Sequence, residues 1–361
     1  MRTHDLVIAG GGPAGLAVAI AAASRGLDAV VLERAALPAD KACGEGLLPA
    51  GVRALEALGV LDALDPDAVH PIRSIRWIDG TRVAEARLPA GGGLGIRRTA
   101  LSAALLARAR AAGAEVREGV DVRSHRRGVD AVDVETDHGA LRARLLVAAD
   151  GLSSPIRRRE GLDLPAAGAP RFGLRRHFAV APWRDAVEVH FGDGVEAYVT
   201  PVGPRRVGIA FLCEDAARAH HRDLLSRFPA LLERVGHAPL DSSPAGAGPL
   251  SRGARARVLD RLVLAGDAGG YVDAITGEGL SLAFEGASAL GNALPAALAA
   301  GAGASAFAAW HDGERRRFTR YAVAARAVLG LARRPGPRRA ALSYLAAHPR
   351  VFAGLVGAVV G

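Results

Sequence analysis

Six consecutive residues near the start of the chain, Gly10-Gly11-Gly12-Pro13-Ala14-Gly15, have the types and spacing to hold a phosphate. Gly10 permits a tight turn, Gly12 lets the backbone approach a pyrophosphate, and Gly15 lets a following helix pack on the preceding strand. A carboxylate, Glu33, with Arg34 beside it, follows about 20 residues on, where an acid accepts from the ribose hydroxyls of an adenosine. A carboxylate there repels a 2′-phosphate, so the nucleotide expected is FAD or NAD rather than NADP. This segment leaves the choice between those two open.

The elements that must position these groups are legible around them. His4–Ala9 is an apolar run of strand type, Leu16–Ser24 a helical run ending before Gly26, and Asp28–Arg34 a second strand closing in Glu33. Strand, glycine turn, helix, strand and acid together form a dinucleotide-binding unit, with the free N–H groups of the helix N-terminus facing the phosphates.

Three further segments carry chemistry. Asp40–Pro49 reads DKACGEGLLP and follows the second strand directly. At 145–158, LLVAADGLSSPIRR ends an apolar strand in Asp150-Gly151. At 261–290 an apolar strand ends in Gly266-Asp267, and Gly277-Glu278-Gly279 then opens a long helix.

With the glycine turn, these segments resemble the flavoprotein aromatic hydroxylase superfamily, in the branch of geranylgeranyl-reductase-like and FixC-like FAD oxidoreductases. The resemblance covers about residues 1–300 in order and implies FAD as cofactor. It implies that Asp267 binds FAD near the ribityl–pyrophosphate junction. It also implies that the helix beginning at Gly279 and Leu280 aims its N–H groups at the flavin's pyrimidine edge, where reduction places negative charge. Asp150-Gly151 is implied in FAD and nicotinamide binding. The loop with Cys43 and Gly44 is implied to lie near the isoalloxazine. Arg98 matches the arginine before the helix beside FAD, with Arg97 as its rival, and Val122 matches a position whose backbone meets the adenine. No second glycine fingerprint is present; in this superfamily NAD(P)H binds transiently across the FAD domain, and it is the expected donor.

The expected fold is α/β: a Rossmann-type, glutathione-reductase-like FAD-binding domain with an inserted antiparallel β-sheet substrate lobe and a C-terminal helical appendix. The FAD domain is assigned to 1–71, 92–160 and 255–310, the lobe to 72–91 and 161–254, and the basic helical segment to 311–361. Strand pairs are expected to turn at Asp79-Gly80 and His138-Gly139. The lobe strands are FGLRRHFAV, DAVEVHFG, EAYVTPV and RRVGIAFL, followed by a helix over Asp215–Val235.

Within the lobe, Glu188 and His190 share a strand face by period two; if it looks toward the flavin they orient or deprotonate a phenolic substrate, and otherwise they form a solvated strand edge. Arg175, Arg176 and His177 occupy the preceding strand. Cys43 is a candidate reactive thiol, and Asp273 and Glu278 flank the flavin turn where a carboxylate relays protons. Prenyl reductases carry YxWxFP where this chain has Tyr198-Val199-Thr200-Pro201, and halogenases carry WxWxIP with a lysine. Here Trp183 stands alone and Lys41 is the only lysine, which excludes halogenation. Monooxygenation of an apolar aromatic or polyketide-like small molecule, of the kind made in secondary metabolism, is the first expectation. Saturation of a prenyl, lipid or polyene substrate is the second, and a non-catalytic nucleotide-dependent binding protein the third.

Composition bounds these readings. The chain has 361 residues, is 50% hydrophobic and carries a net charge of +9. Aromatics are only 4%, a poor supply of stacking surface, so no nucleic-acid partner is expected. Between His311 and Arg350 ten arginines face two acids, Asp312 and Glu314, a local excess of eight. This tail packs on the FAD domain or presents a basic, apolar-tipped surface to a membrane or an acidic carrier protein. Cys43 and Cys213 form no CxxC pair, no metal site is expected, and no run reaches the ~18 apolar residues of a spanning helix. A cytoplasmic protein, or one peripheral at a membrane, is expected.

Overall fold

The opening apolar run forms the strand Thr3–Ala9 at the centre of an eight-stranded sheet. In a computed structural model describing residues 2–166, 168–214 and 220–360, it pairs in parallel with Ala29–Glu33 on one side and Gly139–Ala148 on the other. Glu115–Glu118 and Leu262–Leu264 extend the parallel core outward. Parallel strands buried on both faces read as continuous apolar runs, which is why LVIA, AVVL and LLVA lack alternation. The helix Pro13–Ala23 is apolar all round and buried from Gly15 to Ala22, because it lies between this sheet and the helices Arg98–Ala111 and Gly279–Ala299.

A seven-stranded sheet forms the second layer, ordered Ala245–Ala247, Phe172–Phe178, Val207–Cys213, Val195–Pro201, Ala186–Gly192, Ser74–Asp79 and Arg82–Arg87. Ser74–Asp79 and Arg82–Arg87 form the hairpin at Asp79-Gly80. The sheet is not wholly antiparallel as expected: Ala186–Gly192 runs parallel to Ser74–Asp79, since these strands come from distant segments with no hairpin between them. The helix expected over 215–235 is two short helices, His221–Ser226 and Pro229–Val235, interrupted before Pro229, while 215–219 lies outside the described residues.

The layers meet through a three-stranded sheet of Gly46–Leu47, Gly93–Ile96 and Val69–Ile72. Gly95 faces the end of Val195–Pro201 so closely that a Cβ would stand 1.7 Å from the Pro201 carbonyl oxygen. The C-terminal segment is helical as expected, but only its first helix packs on the FAD domain. Ala308–Ala332 packs on Gly279–Ala299, but Pro335–Ala347 and Pro349–Val360 pack on the edge strand Arg82–Arg87 of the substrate sheet. A buried ion pair, Arg338 Nε to Asp79 Oδ2 at 2.8 Å, pins them there, and Trp77 meets Phe352 with ring centroids 4.9 Å apart.

Gly95→Ala therefore forces two backbones apart. It is expected to lower unfolding free energy by about 1–3 kcal/mol, the range for overpacking a tight contact. An unchanged urea midpoint would show that the joint between the sheets is not close-packed.

Candidate functional site

The glycine turn has the geometry its spacing demands. Gly10 sits at φ +107°, and a Cβ on Gly15 would lie 1.9 Å from the Gly10 carbonyl oxygen, so the helix closes directly on the turn. Gly12 stands at the helix N-cap without a capping side chain, which leaves the first N–H groups of Pro13–Ala23 open. Glu33 is buried, and its carboxylate accepts from the Gly11 N–H at 2.7 Å and the Ala35 N–H at 3.1 Å. It thus ties the turn to the second strand, and each oxygen keeps a lone pair for a hydroxyl donor.

A cavity of about 1220 Å³ runs from this turn to the seven-stranded sheet. At one end it is lined by Gly10, Gly12, Pro13, Ala14, Glu33, Arg34, Val122, Asp150 and Gly151; the basic side chains of Arg158 and Arg159 stand there too. Cys43, Gly44, Arg98, Asp267, Gly277, Gly279 and Leu280 also line it. At the other end the wall is apolar: Ile75, Trp77, Val187, Val189, Ala210 and Leu212 from the sheet, and Val328, Leu345, Phe352 and Val356 from the C-terminal helices. Gly15 and Gly266 are not on the wall; Gly15 packs against Gly10, and Gly266, at φ +59°, against Ala14.

The charged end fits FAD on its own physical evidence. Two uncapped helix N-termini, those of Pro13–Ala23 and Gly279–Ala299, open on one cavity. Each favours an anionic group, one suited to a pyrophosphate and one to a reduced ring. Along the wall between them, Asp150 Oδ1, Arg98 Nε and Thr276 Oγ1 are buried without a hydrogen-bond partner, a cost a polar ligand removes. Burial raises the Asp267 pKa to about 6 against the charges of Arg98, Arg157 and Arg257.

At the junction of the two ends lies a buried carboxylate, Glu45. Its Oε1 accepts from Arg97 Nη1 at 2.9 Å and from the Arg98 backbone N–H at 2.7 Å, and its Oε2 meets His177 Nε2 at 2.5 Å. Arg175 Nη1 donates to His177 Nδ1 at 3.1 Å. A guanidinium can only donate, so Nδ1 is the acceptor and the proton sits on Nε2, making His177 neutral. Burial lowers the His177 pKa in agreement, outweighing Glu45's pull. Burial would raise Glu45, but the His177 hydrogen bond and the Arg175 and Arg97 charges hold it below the ordinary carboxylate range. Arg175 also reaches Asp40 Oδ1 at 2.5 Å and the Lys41 carbonyl at 3.1 Å. One carboxylate thus clamps the Cys43–Gly44 loop to the helix Arg98–Ala111 and to the substrate sheet. Nothing in the spacing of DKACGEGLLP singles out Glu45. The available signal was on the partner strand, where period two puts Arg175 and His177 on one face.

Other candidates fall elsewhere. Val187 and Val189 line the cavity, so the alternating Glu188 and His190 point to the opposite face, under the helices 221–235. Glu188 pairs there with Arg76, Trp183 and His190; burial would raise its pKa, but the His190 and Trp183 hydrogen bonds and the Arg76 charge bring it to about 2. Nor is this a solvated edge, since Glu188 is buried. Glu278 occupies the N-cap position of the helix Gly279–Ala299 without a capping hydrogen bond and lies off the cavity wall, its Oε2 unpartnered and its pKa raised to about 7 by burial. Asp273 is locked to Arg171 Nε at 2.9 Å, away from the wall. Arg98 lines the cavity, whereas Arg97 spends its guanidinium on Asp40 and Glu45. Cys43 lines the wall, but burial pushes its thiol pKa up, which keeps it protonated and poorly nucleophilic.

Comparison with known proteins adds independent findings. A family model described as an FAD binding domain matches residues 3–326. The dialkyldecalin synthase of Streptomyces rugosporus is 28% identical, over 99% of this chain and 80% of that protein. Digeranylgeranylglycerophospholipid reductase 1 of Methanopyrus kandleri is 30% identical, over 78% and 77%. The 3-(3-hydroxy-phenyl)propionate/3-hydroxycinnamic acid hydroxylase of Mycobacterium sp. strain KMS is 28% identical, over 93% and 61%.

Glu45→Gln removes one partner of a buried charge cluster and is expected to cost about 3–5 kcal/mol at pH 7. Because the folded pKa of Glu45 lies below its unfolded value, its contribution is complete above the ordinary value of 4.5 and is lost as pH falls through the folded pKa. Urea titrations should show the gap between wild type and variant closing on that acid side. A gap independent of pH would remove the charge from the explanation.

Proposed function

The chain belongs to the FAD-binding-domain family, and on that premise we propose that it is an FAD-dependent monooxygenase of an apolar, aromatic or polyketide-like small molecule, with NAD(P)H as transient donor. The observation that carries this reading is the two-ended cavity: a charged cradle for a dinucleotide opens into a chamber walled by aliphatic and aromatic side chains. Bound in the cradle, FAD supplies two-electron redox chemistry and access to molecular oxygen.

The chain's own residues divide the remaining work. The Pro13–Ala23 and Gly279–Ala299 N-termini hold negative charge, Glu33 and Asp267 fix polar groups of the cofactor, and the Glu45 clamp sets the Cys43–Gly44 loop at the boundary. The apolar wall orients the substrate by shape and excludes water. Overall, one atom of oxygen enters the substrate and the other leaves as water, with two electrons from NAD(P)H. The match to a hydroxylase over 93% of this chain supports this reading.

A second reading has its own support. The dialkyldecalin synthase match spans 99% of this chain, and a ring-forming isomerisation uses the same apolar chamber without net redox change. The reductase match similarly supports saturation of a double bond.

Product mass separates the three. The holoenzyme is incubated with apolar aromatic, polyketide and polyene substrates, with NAD(P)H, in air and without oxygen. Monooxygenation predicts a product heavier by one oxygen atom that forms only in air. A product of unchanged mass, formed with or without donor, would replace the proposal with cyclisation. A gain of two hydrogens without oxygen would replace it with saturation.

A further inference from the structure

The apolar chamber has its own mouth, and the residues that form it are exposed. Tyr344, Val351 and Leu355 line the cavity yet are 54%, 42% and 57% exposed, so they stand where the chamber meets solvent. Ala327, on the helix Ala308–Ala332, is likewise both exposed and on the wall. The four come from the three C-terminal helices, whose inner residues Phe352 and Val356 are buried over the sheet. Arg320 Nη2 donates to the Ala358 carbonyl at 3.0 Å, joining the first of these helices to the last.

Beyond Glu314, the chain that forms this rim carries charge of one sign. No acid follows Glu314, and ten arginines do. Arg326, Arg334 and Arg350 are exposed and form no ion pair among the described residues. The opposite end of the cavity is lined instead by the charged side chains of Arg34, Arg158 and Arg159.

We propose that this mouth docks on an anionic lipid surface, with Tyr344, Val351 and Leu355 entering the headgroup–acyl boundary and the unpaired arginines facing lipid phosphates, so that apolar substrate passes from the lipid into the chamber. This rests on the apolar-substrate reading above. A lipid surface satisfies both halves of the patch at once, since exposed apolar side chains gain by leaving water and cationic ones by approaching anionic headgroups. An acidic protein would satisfy the arginines while leaving the apolar rim to be matched by shape. Docking here means lying on the surface. No single described helix is long and apolar enough to cross a bilayer, and Pro335–Ala347 and Pro349–Val359 are bent by 108° at their junction.

The test is flotation of the FAD-loaded protein with vesicles of phosphatidylcholine alone or of equimolar phosphatidylcholine and phosphatidylglycerol. Binding is measured without substrate or turnover, so its failure is distinct from a failure of the monooxygenase reading. The protein should float with the anionic vesicles alone and be released by high salt. Arg326→Gln/Arg334→Gln/Arg350→Gln should weaken this binding roughly a hundredfold, and Val351→Asp/Leu355→Asp should abolish it. Flavin content reports that each variant is folded. Val129→Asp, at a remote site 90% exposed, should float like wild type. Absence of flotation with either vesicle, equal flotation with neutral vesicles, or full binding by both rim variants would overturn the proposal. Retention on immobilised poly-L-glutamate without vesicle binding would overturn it too, in favour of an acidic protein.

Discussion

Burying a carboxylate with almost no exposure costs several kcal/mol unless the protein replaces every interaction water offered. Glu45 is such a group, and the site is arranged around meeting that cost. Its two oxygens take a guanidinium and a backbone N–H from the start of one helix and an imidazole N–H from a strand of the other layer. Its own backbone lies at φ +59°, a conformation that a residue with a side chain adopts only under constraint. The loop holding Cys43 and Gly44 therefore has little freedom: moving it strands a buried negative charge. Because His177 belongs to the substrate sheet and Arg98 to a helix of the cofactor layer, the same charge also fixes the distance between the two layers.

The C-terminal helices complete what that clamp begins. A sheet face lined by Ile75, Trp77, Val187, Val189 and Leu212 would be an aggregation hazard if left open. The last two helices cover it, held at one point by Arg338 on Asp79. That pair is itself buried, and the ring of Phe191 lies 5.6 Å from the guanidinium carbon, so electrostatic and apolar contacts act at one place. The roof is thus attached to the edge of the sheet, and the space beneath it stays open as a chamber.

Local features were legible in the sequence and long-range ones were not. The placement of Gly10, Gly15, Glu33 and Asp150 is readable because it is set by neighbours within one βαβ unit or one strand end. The hairpin at Asp79-Gly80 is equally local. Glu45 and His177 are 132 positions apart, and no spacing rule connects a loop to a strand in another layer. Glu188 and His190 illustrate the opposite failure. Period two correctly groups them on one face, but alternation cannot say which face looks at the cofactor; that depends on the helices covering the other side. The C-terminal tail misled for a related reason, since its charge is visible in sequence while the buried partner of Arg338, Asp79, lies 259 residues away.

The alternation that hid the orientation of Glu188 also separates two kinds of evolutionary pressure. Alternate residues of the central strands, among them Val187, Val189, Tyr198, Ala210 and Leu212, touch the chamber, and intervening ones such as Val199, Ile209 and Phe211 belong to the packed underside. Exchanges at Val187, Val189, Ala210 or Leu212 reshape the chamber while leaving the scaffold's core intact. The nucleotide cradle, by contrast, depends on Gly10 and Gly15, where a Cβ would stand 2.3 Å and 1.9 Å from a backbone carbonyl oxygen. Such a molecule can drift across substrates over generations while its cofactor stays fixed, which makes the chamber-facing positions the natural ones to randomise when a new substrate is sought.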